Sequence, residues 1–151
     1  MSLFRSCDWW EVSGQGQGLC YDIHSLVVDS LAGEDEEASV EQVVTVSMSG
    51  LVQIHQPSRG EARAEDLLLE QQLAGGPVCG VDTGQLVPGQ AGRQLAVLHP
   101  RSLAVYQLSR RQGSGSQGDS YVLSLAYQHT LMRWEIGNIG SACLKVLSNY
   151  K

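Results

Sequence analysis

One hairpin is written twice in this chain. Val43-Val44-Thr45-Val46, a Ser47-Met48-Ser49-Gly50 turn and Leu51-Val52-Gln53-Ile54-His55 return 52 residues later, as Leu95-Ala96-Val97-Leu98-His99, a His-Pro-Arg-Ser break and Leu103 to Leu108. Placing Leu51 on Leu103 superposes Thr45 on Val97, Val46 on Leu98 and Ile54 on Tyr106. Both runs are rich in β-branched, aliphatic and aromatic residues, and Pro100 has no N–H for a central strand or a helix, so each copy predicts a β-hairpin.

The repeat extends outward on both sides. Upstream of each hairpin lies another candidate strand, Leu19 to Val28 and Val78 to Val87, and downstream comes a polar loop and a further apolar run, Leu67 to Leu73 and Tyr121 to Tyr127. Four strands in about 50 residues is the period of a propeller blade. The prediction is therefore an all-β chain, with blade-like units over 19–73 and 78–127 that together make the opening two blades of a β-propeller. Ala62 to Leu73 is also a good helix by propensity, but the repeat overrules that weak preference and predicts a strand. Its Glu-Asp-Leu-Leu stretch looks like an acidic dileucine, which strand burial of the leucines would withdraw from use.

The connections read as surface. Gly14-Gln-Gly-Gln-Gly18 is a linker whose spacing, and whose place before a strand and not after one, do not fit a dinucleotide site. Glu34-Asp-Glu-Glu37 predicts a solvated loop; four adjacent acids lack the alternating ligands and the turn glycine of a calcium loop. Ser109 to Ser120, with Arg110-Arg111 and three glycines, predicts a flexible polar loop. The segment 134–151 gives only a loose apolar pattern, compatible with a helix or a strand, and is too short for a third unit.

The chemistry-bearing residues do not assemble into a motif. His24, His55, His99 and His129 fall one per strand or turn without metal-ligand spacing, and no nucleophile elbow is present. Cys7, Cys20, Cys79 and Cys143 are far apart with no Cys-x-x-Cys pair, which predicts free thiols behaving as small buried hydrophobes. We expect no catalytic residue, no metal site and no cofactor. A net charge of -6 offers no basic field to nucleic acid. No stretch approaches the roughly 18 apolar residues of a transmembrane segment and no signal peptide is evident, so the expected location is cytoplasmic. Trp9 and Trp10 are expected to pack over the first blade in preference to gripping a partner.

Met1-Ser-Leu-Phe, Asp8-Trp-Trp10, Gly50-Leu51 with Ile54 and Pro57, Ala64-Glu-Asp-Leu-Leu-Leu-Glu70, Pro77-Val78 and Leu95-Ala-Val-Leu-His99 with Leu103 and Val105-Tyr106 agree in order and spacing with a known family. Over residues 1–133 the chain resembles the N-terminal region of the Bardet-Biedl syndrome 9, or parathyroid hormone-responsive, family. The resemblance implies a partial N-terminal β-propeller, seven-bladed in the family. It also implies a non-enzymatic scaffold role in the BBSome, a coat-like complex that carries membrane proteins to and from cilia. The implied partners are the other BBSome subunits and, indirectly, an Arf-like GTPase and ciliary membrane cargo. The implied locations are the cilium, the ciliary membrane and the centriolar region, with the chain a peripheral member of the complex. No partner-binding residue is carried over. Residues 134–151 diverge from the family pattern. Two blades cannot close a ring, so an open edge and an apolar face are expected to need self-association or other chains. A stand-alone β domain binding a ligand or peptide is the alternative reading, and a cryptic hydrolase a third.

Overall fold

The computed structural model describes residues 10–12, 19–31, 40–57, 60–61, 63–111 and 120–131. Ten strands follow in order: β1 (Trp10–Glu11), β2 (Leu26–Asp29), β3 (Gln42–Val46), β4 (Leu51–His55), β5 (Gly60–Glu61), β6 (Leu67–Gln72), β7 (Gly80–Gly84), β8 (Gln94–His99), β9 (Ser102–Arg111) and β10 (Ser120–Thr130). They form two four-stranded antiparallel sheets, β2-β3-β4-β6 (sheet 1) and β7-β8-β9-β10 (sheet 2). β1 and β5 add a short parallel pair. Two consecutive four-stranded meanders are the architecture of two propeller blades, as the repeat requires.

The two hairpins turn differently. In the first, Ser47 Oγ accepts the Leu51 amide at 3.0 Å, and Gly50, at φ +90°, closes the turn in a conformation that a side chain would strain. In the second, Pro100 and Arg101 alone separate His99 from its partner Ser102. The register records the difference: Val44 faces Ile54, whereas Tyr106 faces Leu95 and Ala96 faces Val105. A uniform 52-residue offset would pair Ala96 with Tyr106. The repeat is instead 52 along the second strand of each unit and one residue less along the third, because the second turn is one residue shorter.

A pair of glutamines fixes that assignment. Gln42 and Gln94, 52 positions apart, are both buried at the start of the second strand. Gln42 Oε1 accepts the Leu31 amide at 3.0 Å; Gln94 Oε1 accepts the Leu86 amide at 2.7 Å. Each side chain thus satisfies an N–H of the connection that precedes its strand, which no ladder reaches. This repeated device carried no sequence signal beyond its spacing.

One core joins the sheets. Side chains alternate between faces, so Val44, Val46, Val52 and Ile54 leave sheet 1 on one side, here called the front. They share a buried cluster with Leu95, Val97, Ala104, Tyr106, Leu108 and Leu123 of sheet 2. Each large aliphatic so buried contributes about 1.5–3 kcal/mol. Polar ties frame the cluster. The Gln71 amide donates to Leu123 O at 3.0 Å and accepts from Leu123 N at 3.1 Å, occupying a peptide of β10 that β9 leaves free. At the opposite edge, Thr83 and Arg93 both donate to Asp29. Burial alone would raise the Asp29 pKa. The Thr83 and Ser30 hydrogen bonds and the Arg93 charge outweigh burial and hold it below the usual carboxylate value.

Several boundaries differ from expectation. Of Leu19 to Val28 only the end is strand, because the Asp22 amide bonds Ser25 Oγ at 2.7 Å and the Ser25 amide returns to Asp22 O at 3.0 Å, folding that stretch into a turn. Likewise Val78 to Val87 narrows to Gly80–Gly84, since Gln94 draws the Leu86 amide out of the ladder. Ala64–Asp66 forms a 3-10 turn ahead of β6. Arg110 and Arg111 belong to β9, paired with Tyr121 and Ser120, and not to a loop. The glycine linker, the acidic run and the segment 134–151 lie outside the described residues.

Four substitutions test this account. Ile54→Ala should lower unfolding free energy by about 2–5 kcal/mol in urea titration, while the exposed Leu26→Ala should change it by less than about 0.5. Gln94→Leu should cost about 1–3 kcal/mol by stranding the Leu86 amide. Because the folded-state pKa of Asp29 is depressed, its contribution is present above the unfolded value of 3.8 and is lost as pH falls through the folded value. Asp29→Asn should therefore flatten the acid limb of stability against pH.

Candidate interaction surface

The titratable groups are dispersed. His55 and His99 are buried at the ends of β4 and β8, His24 is exposed on a turn, and His129 is half-buried on β10. His99 Nδ1 bonds Pro77 O at 2.9 Å and its ring faces Gly75, where an added Cβ would approach Nε2 to 3.0 Å. It holds the connection between the sheets. Among the described residues no three His, Cys, Asp or Glu side chains could hold a metal ion. A shallow cavity of about 280 Å³ lined by Gln85, Val87, Pro88, Gly89 and Gln90 carries no acid, base or nucleophile.

Cys20 and Cys79 are free thiols, as expected, but exposed and not buried. Both sit in connections ahead of a first strand, where the backbone passes over the end of a sheet: Cys20 O accepts the Met48 amide and Cys79 N donates to Leu98 O. Cys7 and Cys143 lie outside the described residues. Asp66 of the acidic dileucine stretch is buried and Leu68 packs on the core, so it is not displayed as a linear motif.

What the structure does assemble is a surface on the back of sheet 1 that is apolar along β2 and polar at Gln53 and Glu70, where the Gln53 amide donates to Glu70 at 2.8 Å. Antiparallel partners share a face, so one row crosses the sheet from Val28 through Val43 and His55 to Leu67, beside a second row from Leu26 through Thr45 and Gln53 to Glu70. Leu26 and Val28 are 56% and 49% exposed. By the register of the repeat, Leu26 and Val28 correspond to Val81 and Thr83 of β7, on the face with which sheet 2 meets sheet 1. The back of sheet 1 is thus built like a docking face, and no described sheet covers it. Tyr21 adjoins it, its hydroxyl donating to Gln53 at 3.5 Å. Ile23 stands 86% exposed at the tip of the Asp22–Ser25 turn, whose hydrogen bonds hold an apolar side chain in water.

The same face is covered at His55. Trp10 lies against His55 with ring centroids 5.3 Å apart, and its indole N–H donates to Asp66 Oδ2 at 3.2 Å. The Arg63 amide donates to the same oxygen at 2.9 Å. Burial lowers the His55 pKa, against the opposing charges of Asp66 and Glu70. Trp10 therefore packs over the first blade, as expected; Trp9 lies outside the described residues. The sequence showed the tryptophan but not its partners, which come from two other elements.

Comparison with known proteins agrees with this architecture. Residues 1–142 match the family described as PTHB1 N-terminal. Protein PTHB1 of Xenopus laevis is 38% identical over 137 residues, covering 88% of this chain and 16% of the relative. The Mus musculus and Homo sapiens proteins of the same name are 35% and 36% identical over 138 residues, each covering 88% of this chain and 15% of the relative. The chain spans about one-sixth of the length of these curated relatives. Matched over nearly its whole length, this two-bladed chain belongs to the PTHB1 N-terminal family.

Proposed function

We propose that the chain is a non-enzymatic protein-interaction scaffold that supplies the opening blades of the propeller in a BBSome subunit, for traffic of membrane proteins to and from cilia. The single observation that carries the reading is the back of sheet 1: a blade-like face with exposed apolar side chains at Leu26 and Val28, in a chain that belongs to the PTHB1 N-terminal family. Apolar surface of this kind gains stability when a partner removes it from water, at about 25 cal/mol per Å². The partners in this reading are other BBSome subunits, with an Arf-like GTPase and ciliary membrane cargo reached through them. The chain then acts in the cytoplasm and at the ciliary membrane and centriolar region as a peripheral component. Nothing in the role calls for a reaction, and the dispersed histidines and exposed thiols supply no catalytic grouping among the described residues.

The test is affinity capture of the 151-residue chain from ciliated cells, with bound proteins identified by mass spectrometry. Recovery of BBSome subunits by the native chain, reduced by Leu26→Asp in a variant shown folded by circular dichroism, is the expected result. The core variant Val97→Asp serves as the unfolded control. A folded native chain that recovers none of those subunits would overturn the proposal.

A further inference from the structure

The row Val28, Val43, His55, Leu67 is exposed at both ends, at Val28 and at Leu67, and closed between them, where Trp10 lies over His55. The closing element is short. Among the described residues β1 has two residues, pairs only with the two-residue β5, and owes its side-chain anchorage to the contacts of Trp10 with His55 and Asp66. His55 is 6% exposed, and its Nδ1 is buried without a hydrogen-bond partner. A neutral imidazole tolerates that, because Nδ1 then carries only a lone pair. An imidazolium does not, because it places an N–H, and a positive charge, where no acceptor waits.

We propose that β1 is a strap held across the back of sheet 1 by neutral His55 and released when that imidazole gains a proton. The charged groups facing His55 are Asp66, from the 3-10 turn, and Glu70, from β6. Its β3 partner Val43, its β6 partner Leu67 and its β1 neighbour Trp10 are uncharged. Asp66 favours the proton, but its Oδ2 accepts from the Trp10 indole and the Arg63 amide, and His55 Nδ1 has no hydrogen-bond partner. Burial prevails, in keeping with the lowered pKa. Release uncovers the His55 position inside the row and makes the exposed Leu67 continuous with the open patch at Leu26 and Val28. The device thus sets how much of the back face is on offer, whichever protein docks there.

The sign follows from linkage. The strapped state binds fewer protons, so strapping is favoured above the ordinary histidine value of 6.5 and weakens as pH falls below it. The experiment is hydrogen–deuterium exchange of the full chain between about pH 7.5 and 5.5, read on peptides spanning Trp10–Glu11 and corrected for intrinsic exchange. The expected result is faster exchange at the acid end by up to about tenfold, the ceiling set by one pH unit below the ordinary histidine value of 6.5. His55→Gln, neutral at every pH, should abolish the step. In the wild-type chain, NMR titration of the His55 ring should share the exchange midpoint, which keeps the test decisive if the variant does not fold. A step that survives in His55→Gln, a ring midpoint displaced from the exchange midpoint, or no step while the ring titrates, would each overturn the proposal.

Discussion

Everything else in this molecule depends on one contact, the meeting of the front of sheet 1 with sheet 2. Val44, Val46, Val52 and Ile54 are removed completely from water, and Leu95 and Val97 opposite them equally so. A single four-stranded sheet with one apolar face has nowhere to bury it; two such sheets from one repeat solve the problem for each other. The polar ties at the two edges, Gln71 to the Leu123 backbone and Asp29 to Thr83 and Arg93, set the sheets' alignment where the aliphatic contact is non-directional.

The same logic explains the surface left over. Blades are built with two docking faces, so a chain of two carries a face made for a neighbour. The back of sheet 1 divides that burden. Trp10 shields it at His55, while Leu67 at its outer edge and Leu26, Val28, Tyr21 and Ile23 at its inner end stay in water. Gln71 also occupies a β10 peptide that would otherwise template another strand, which limits promiscuous edge pairing while leaving the apolar face for a partner.

Much of the fold was legible. The period-two alternation and the doubled hairpin placed β3, β4 and β8 almost residue by residue and the first part of β9, whose end at Ser109–Arg111 was read as loop, and the outer strands followed from the repeat even where Leu67 to Leu73 favours a helix by composition. The first strand of unit one was overextended at Leu19 to Ser25 because Tyr21 and Ile23 alternate like a strand; the local hydrogen bonds between Asp22 and Ser25 compete successfully with a ladder. The turn-length difference was hidden, since a sequence alignment through Leu51 and Leu103 has no register to check it.

By itself, then, the sequence determined the all-β class, the two units and the strands that carry their cores, because side-chain alternation and turn chemistry are local properties of the chain. Tertiary structure alone decided which apolar residues remain in water, why Gln42 and Gln94 are buried, and that Trp10 meets His55 and Asp66. Those outcomes depend on which face another sheet covers and on backbone N–H groups brought together from distant positions. Neither is encoded in the spacing of residues along one strand.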